Sequence, residues 1–124
     1  MSKAQFLAEN LKPGEIYAGL ILGKDGQPDY HLALLPAKPD DKLNWEAAKA
    51  WAESVGGDLP TRREQSLLFA NVKEHFEAAW YWSNEQYAGI PDYAWMQGFG
   101  TGLQFTLSKS CTYRARAVRR LIIE

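Results

Sequence analysis

The sequence predicts an α+β fold, two helices packed on a mainly antiparallel sheet. Two strand-like runs joined by a turn signal come first, two capped amphipathic helices follow, and from Ala79 onward strand and loop alternate. The size suits one domain: 124 residues and 14.0 kDa, 46% hydrophobic and 23% charged. No internal repeat, low-complexity tract or long linker divides the chain.

Residues 4–11 (AQFLAENL) read as one or two helical turns, stopped by Lys12-Pro13-Gly14 because proline cannot extend a helix and glycine favours a turn. Residues 1–14 are therefore an N-terminal extension, a short helix or arm, and 15–124 a single domain. Glu15–Leu22 and Tyr30–Leu35 are strands, and Asp25-Gly26 between them supplies the positive-φ residues of a tight turn. Alternation puts Ile16, Ala18, Leu20 and Leu22 on one face of the first strand. The second strand is apolar on both faces, as a central strand should be.

Asn44 is the expected N-cap of a helix over Trp45–Val55, whose Trp45, Ala48, Trp51, Ala52 and Val55 form one face and which Gly56-Gly57 ends. Thr61 followed by Glu64 has the capping-box form, predicting a second helix from Arg62 to Val72 with Leu67, Leu68 and Val72 inward. The later strand candidates are Ala79–Ser83, Tyr93–Gln97, Gly102–Leu107 and Tyr113–Ile123. Gly98, Gly100 and Gly102 lie in the connection between two of them.

Composition excludes several function classes. Fourteen basic and fifteen acidic residues give a net charge of −1, against a generally polycationic nucleic-acid binder. No apolar run approaches the roughly 20 residues of a membrane span. The start, MSKAQFLAEN, lacks an apolar signal-peptide core, so the expected location on synthesis is cytoplasmic, with virion association left open. The single cysteine, Cys111, forms no internal disulfide and no cysteine-based zinc site.

From the first long helix onward the order of motifs is distinctive. Trp45 to Trp51 is followed by Gly56-Gly57-Asp58-Leu59-Pro60-Thr61-Arg62-Arg63-Glu64, then Trp80-Tyr81-Trp82-Ser83, then a segment rich in glycine and aromatics. Arg114-Ala115-Arg116-Ala117-Val118-Arg119-Arg120 closes the series. Over residues 15–123 this resembles the Lcl C-terminal-domain-like family of small bacterial and phage proteins. That family belongs to the C-type-lectin-like superfamily, with formylglycine-generating enzymes as distant relatives. The resemblance implies a C-type-lectin-like fold with its N- and C-terminal strands together, two helices, and a loop-rich excursion that carries ligand recognition. It also implies a phage or prophage origin.

Enzymatic readings find little in the residues. Formylglycine-generating enzymes need a cysteine pair, and this chain has Cys111 alone. His31 and His75 have no serine or carboxylate partner at motif spacing. No cofactor and no metal are expected: Trp82-Ser83-Asn84-Glu85 and Ile90-Pro91-Asp92 match neither the Glu-Pro-Asn nor the Trp-Asn-Asp calcium motif of lectins.

Aromatic residues are unevenly placed, ten of sixteen falling between Phe76 and Tyr113. Some of Trp80, Trp82, Trp95, Phe99 and Phe105 must be core. Tyr81, Tyr87 and Tyr93 stand near Asn84, Glu85, Gln86 and Gln97, the composition of a recognition surface. These seven are the candidate ligand-binding residues, for a protein or glycan ligand taken through residues 83–113 by a non-enzymatic module. A second copy of the chain is a further partner left open.

Between Asp92 and Glu124 there is no acidic residue, while Lys109, Arg114, Arg116, Arg119 and Arg120 are present. On a continuous strand Arg114, Arg116 and Arg120 share a face. They either pair with helix glutamates (Glu46, Glu64, Glu74 or Glu77), the favoured reading, or form a basic patch. The patch would serve the alternative function, an intracellular phage effector that inhibits a host protein or nucleic-acid complex.

Overall fold

The computed structural model describes residues 2–123. Its helices are α1 (Lys3–Asn10), α2 (Trp45–Ser54) and α3 (Arg62–Val72). Its strands are β1 (Ile16–Ile21), β2 (Tyr30–Leu34), β3 (Trp80–Gln86), β4 (Tyr93–Gly98), β5 (Gln104–Ser108) and β6 (Val118–Ile122). The α+β class holds, but the strands form two antiparallel three-stranded sheets, β1-β2-β6 and β3-β4-β5. N- and C-terminal strands share the first. Among the described residues no helix is long and apolar enough to cross a membrane.

The helices begin where their caps lie. Asn44 accepts from the Ala47 N–H at 2.9 Å, and Gly56 turns the chain out of α2 with φ +87°. The Thr61–Glu64 capping box forms as its spacing predicts. Ser2 and Gln5 make a second box at α1, which lays Phe6 on His31 (ring centroids 4.2 Å apart) on one face of the first sheet.

Strand β2 is central, with Leu32, Ala33 and Leu34 fully buried. The expected face of β1 is not kept. A bulge at Tyr17/Gly19 shifts the register, so Ala18 and Ile21 are buried whereas Leu20 and Leu22 are 42% and 60% exposed. Gly19 (φ +130°) permits the bulge. A side chain there would stand 3.0 Å from Asn71, whose amide donates to the Ala18 carbonyl at 2.7 Å.

Two apolar clusters fill the interior. One joins α2 (Trp45, Ala48, Ala52) to Trp82, Ala94 and Met96 of the second sheet. The other joins Leu68 and Val72 of α3 to Ala18, Leu32, Leu34 and Val118 of the first sheet, with Tyr81 and Phe99. The indole N–H groups of Trp45 and Trp82 donate to the Ser83 and Leu43 carbonyls, each at 2.8 Å, so these large rings are buried without a lost hydrogen bond.

The expected strand over Tyr113–Ile123 is regular only from Val118. Upstream, the chain changes partner almost residue by residue: Tyr113 bridges Leu43, Arg114 bridges Tyr81, and the Ala117 carbonyl accepts from Leu35. This segment crosses between the sheets, which breaks the alternation the sequence suggests.

Candidate functional site

Cross-strand register decides which side chains share a surface. Tyr93, Trp95 and Gln97 of β4 stand opposite Ser108, Thr106 and Gln104 of β5, so all six lie on one side of the second sheet. Tyr87 meets Trp95 edge-on, with centroids 5.5 Å apart. The first turn of α3 brings Arg62 over the same indole, its Cζ 3.4 Å from the ring centroid.

A chain of amides fixes that arginine. Arg62 Nε donates to Gln104 Oε1 at 3.0 Å, and Gln104 Nε2 donates to the Arg62 carbonyl and to Gln97 Oε1. Gln97 in turn donates to the Gln65 carbonyl, and Gln65 to the Tyr81 carbonyl. The Glu85 carboxylate accepts from the Arg62 backbone N–H at 2.7 Å. Between these groups opens a cleft of about 500 Å³ lined by Tyr30, Thr61, Arg62, Arg63, Ser66, Glu85 and Gln104.

The expected surface is thus assembled in part. Tyr87 and Tyr93 are half-buried, Glu85 reaches the cleft, and Asn84 and Gln86 are exposed. Lys109 donates to Gln86 at 2.7 Å. Tyr81 and Gln97 do not belong to the surface and are corrected to interior positions. Tyr81 packs edge-on against Phe76 and Phe99, and its hydroxyl accepts from the Glu77 N–H at 2.9 Å. Gln97 is buried within the amide chain. Sequence reasoning missed Arg62, Trp95 and Gln104. The usable signal was the period-two alternation that puts Trp95 on the face of Tyr93.

The C-terminal arginines do not form one basic face, a second correction. Arg120 is held by Glu64 in two bonds (Nε to Oε2, 2.6 Å; Nη2 to Oε1, 2.8 Å) and by Asp58 at 2.8 Å. Glu64 is completely buried and accepts two more bonds, from the Tyr30 hydroxyl at 2.6 Å and the Thr61 N–H at 2.8 Å. Burial pushes its pKa up, but the bonds from Arg120, Tyr30 and Thr61 outweigh that and hold it below the usual carboxylate range. Burial, with the bond to Glu64, pushes the Tyr30 phenol up to about 12. Arg119 pairs with Glu15 at 2.6 Å, and that bond lowers the Glu15 pKa. Arg116 is buried and donates to the His75 and Leu35 carbonyls at 2.6 and 2.9 Å. Arg114 alone of the expected patch is exposed. The expected pairing with a helix glutamate is met by Arg120 and Glu64.

Cys111 is a half-buried free thiol in the bend after β5. Among the described residues no group of three or more His, Cys, Asp or Glu side chains is placed to hold a metal ion. In comparison with known proteins, no family model and no curated protein matches the chain.

Proposed function

We propose that this chain is a non-enzymatic recognition module that takes a protein ligand on the part of its second sheet around Trp95 that borders the first turn of α3. The observation that carries the reading is the Arg62–Trp95–Tyr87 stack beside the Glu85–Gln104 cleft. Trp, Tyr and Arg dominate the energetics of protein interfaces, and here the arginine is held in place before any ligand arrives. Asn84, Gln86 and Tyr93 at the margin add adaptable polar contacts and a further ring.

The proposed fold family is C-type-lectin-like, within a phage or prophage lineage. Its support is the order of sequence motifs, together with N- and C-terminal strands that share one sheet and two helices that connect it to the other. The effector alternative through Arg114, Arg116 and Arg120 has less support, because two of those three guanidinium groups are bonded internally.

The test is quantitative capture from bacterial lysate by the immobilised protein and its Arg62→Ala, Tyr87→Ala and Arg114→Ala variants, each checked for folding by circular dichroism. The proposal expects a protein band lost with the first two and kept with the third. Equal capture by all folded variants would refute it, and retention of glycan in place of protein would replace the ligand class.

A further inference from the structure

A second cavity, of about 570 Å³, opens between the 38–42 loop, the His75–Glu77 turn and the crossing segment Arg114–Arg116. A neighbouring hollow of about 310 Å³ shares Lys38, His75, Glu77 and Arg116 with it, so Arg116 lines both. This size suits a small molecule. Four cations line the larger cavity (Lys38, Lys42, Arg114, Arg116) against three carboxylates (Asp40, Asp41, Glu77). Both lysines, both aspartates and Arg114 are exposed and free to rearrange around a ligand.

Arg116 differs from every other charged group at this wall. It is 4% exposed, yet among the described residues no carboxylate lies within ion-pair distance of it, whereas Arg119 has one and Arg120 two. Its neighbours are two carbonyl oxygens, which are neutral dipoles, and the Phe76 ring at 5.2 Å. A guanidinium carries five N–H donors; two serve those carbonyls, and the buried Nε has no partner at all. Burial of an uncompensated charge is costly, and an anion beside it offsets that cost with charge-assisted bonds.

We propose that this cavity is an oxyanion site, taking a small ligand that carries a phosphate or carboxylate group, with Arg116 as the fixed counter-charge and Arg114 and Lys42 closing on the ligand from the rim. The site is independent of the Glu85–Gln104 cleft and stands whether or not a protein binds there.

The test is titration of the intact protein with inorganic phosphate and, separately, with succinate. Ionic strength is held constant with sodium chloride, and the Arg116 side-chain N–H and the Ala115 and Arg116 amides are followed by NMR. The proposal expects saturable shifts with at least one anion, and about tenfold weaker binding in Arg114→Gln and in Lys42→Gln, each losing one charge-assisted contact. Whichever anion saturates identifies the source of the group. Arg116→Gln is expected to abolish the response; because it also releases the His75 and Leu35 carbonyls, the two rim variants carry the decision if it fails to fold. No saturable response to either anion overturns the proposal, and so does a response that both rim variants leave unchanged.

Discussion

The two sheets use charge in opposite ways. In the first, β6 presents Arg119 and Arg120, and each closes on a carboxylate from elsewhere in the chain, Glu15 and Glu64. The three strands of the second sheet contain one charged residue, Glu85, and it accepts a backbone N–H of α3. What the second sheet turns outward is aromatic and amide. An ion pair satisfied inside the fold stabilises it and leaves nothing for a partner. An outward row of rings and amides with a stacked arginine adds little stability and much contact area. The difference suits a structural role for the first sheet and is what the proposed recognition role of the second rests on.

The strongest way to break that contrast is to disturb the charge of the first sheet. Glu64→Gln leaves Arg120 with only the exposed Asp58 as a charged partner, and the expected loss is about 3 kcal/mol in urea denaturation. Adding Arg120→Met to Glu64→Gln should recover part of that loss, because the uncompensated charge goes with it. A coupling of about 1–3 kcal/mol across the cycle is expected, and strict additivity would mean that the pair is not the anchor.

Acid tests the same sheet more gently. Glu64 and Glu15 titrate below the ordinary carboxylate value of 4.5 in the fold. A carboxylate lowered in this way contributes its stability fully above that value and loses it as pH falls through the folded pKa. Tyr30 behaves oppositely: raised from 10 to about 12, it contributes below 10 and loses its contribution as pH rises toward 12. Denaturation midpoints should be level between these limits and fall on both sides, with a shallower acid limb in Glu64→Gln. An unchanged acid limb in that variant would remove Glu64 from the account.

How much of this was legible in the sequence follows the range of the interactions. The caps at Asn44 and Thr61 rest on neighbours within a few residues, and both were read correctly; the central position of β2, though completed by β6 from the far end of the chain, showed in its own two apolar faces. The β1 bulge was not, because Gly19 is needed only once Asn71 and Leu67 of α3 approach it. The burial of Glu64 was hidden as well. Its capping role showed in the spacing, but Tyr30 and Arg120 reach it from 34 and 56 residues away. For the candidate site, the aromatic excess pointed to the segment that carries Tyr87, Tyr93 and Trp95, which the structure brings close together. Tyr81 and Gln97 were misplaced because alternation says which residues share a face and not which face is covered. Arg62 was missed because it lies on a helix distant in sequence from the strand it completes.

Smaller effects sharpen the other half of the contrast. Arg62→Ala removes a cation–π contact and one amide bond at a partly exposed position, so its stability cost should be about 1 kcal/mol while ligand capture is lost. A fall of 3 kcal/mol or more, on the scale of Glu64→Gln, would make that stack a structural element and the contrast between the sheets would fail.

Phe105→Ser should have the least effect of all. Phe105 points to the same side of the second sheet as Trp82 and Met96, but on edge strand β5 it is 57% exposed, touching Trp80 edge-on with centroids 5.8 Å apart. Removing a ring that already stands in water forfeits little burial, so the midpoint should move by no more than about 0.5 kcal/mol. Trp82→Phe, two strands away and fully buried, should cost more: it leaves the Leu43 carbonyl without its indole donor and opens a void among Trp45, Ala48 and Met96. If the two variants were equally stable, the apolar cluster beneath the second sheet would not be what holds that sheet to α2, and the proposed recognition surface would lack the rigid base its pre-positioned arginine requires.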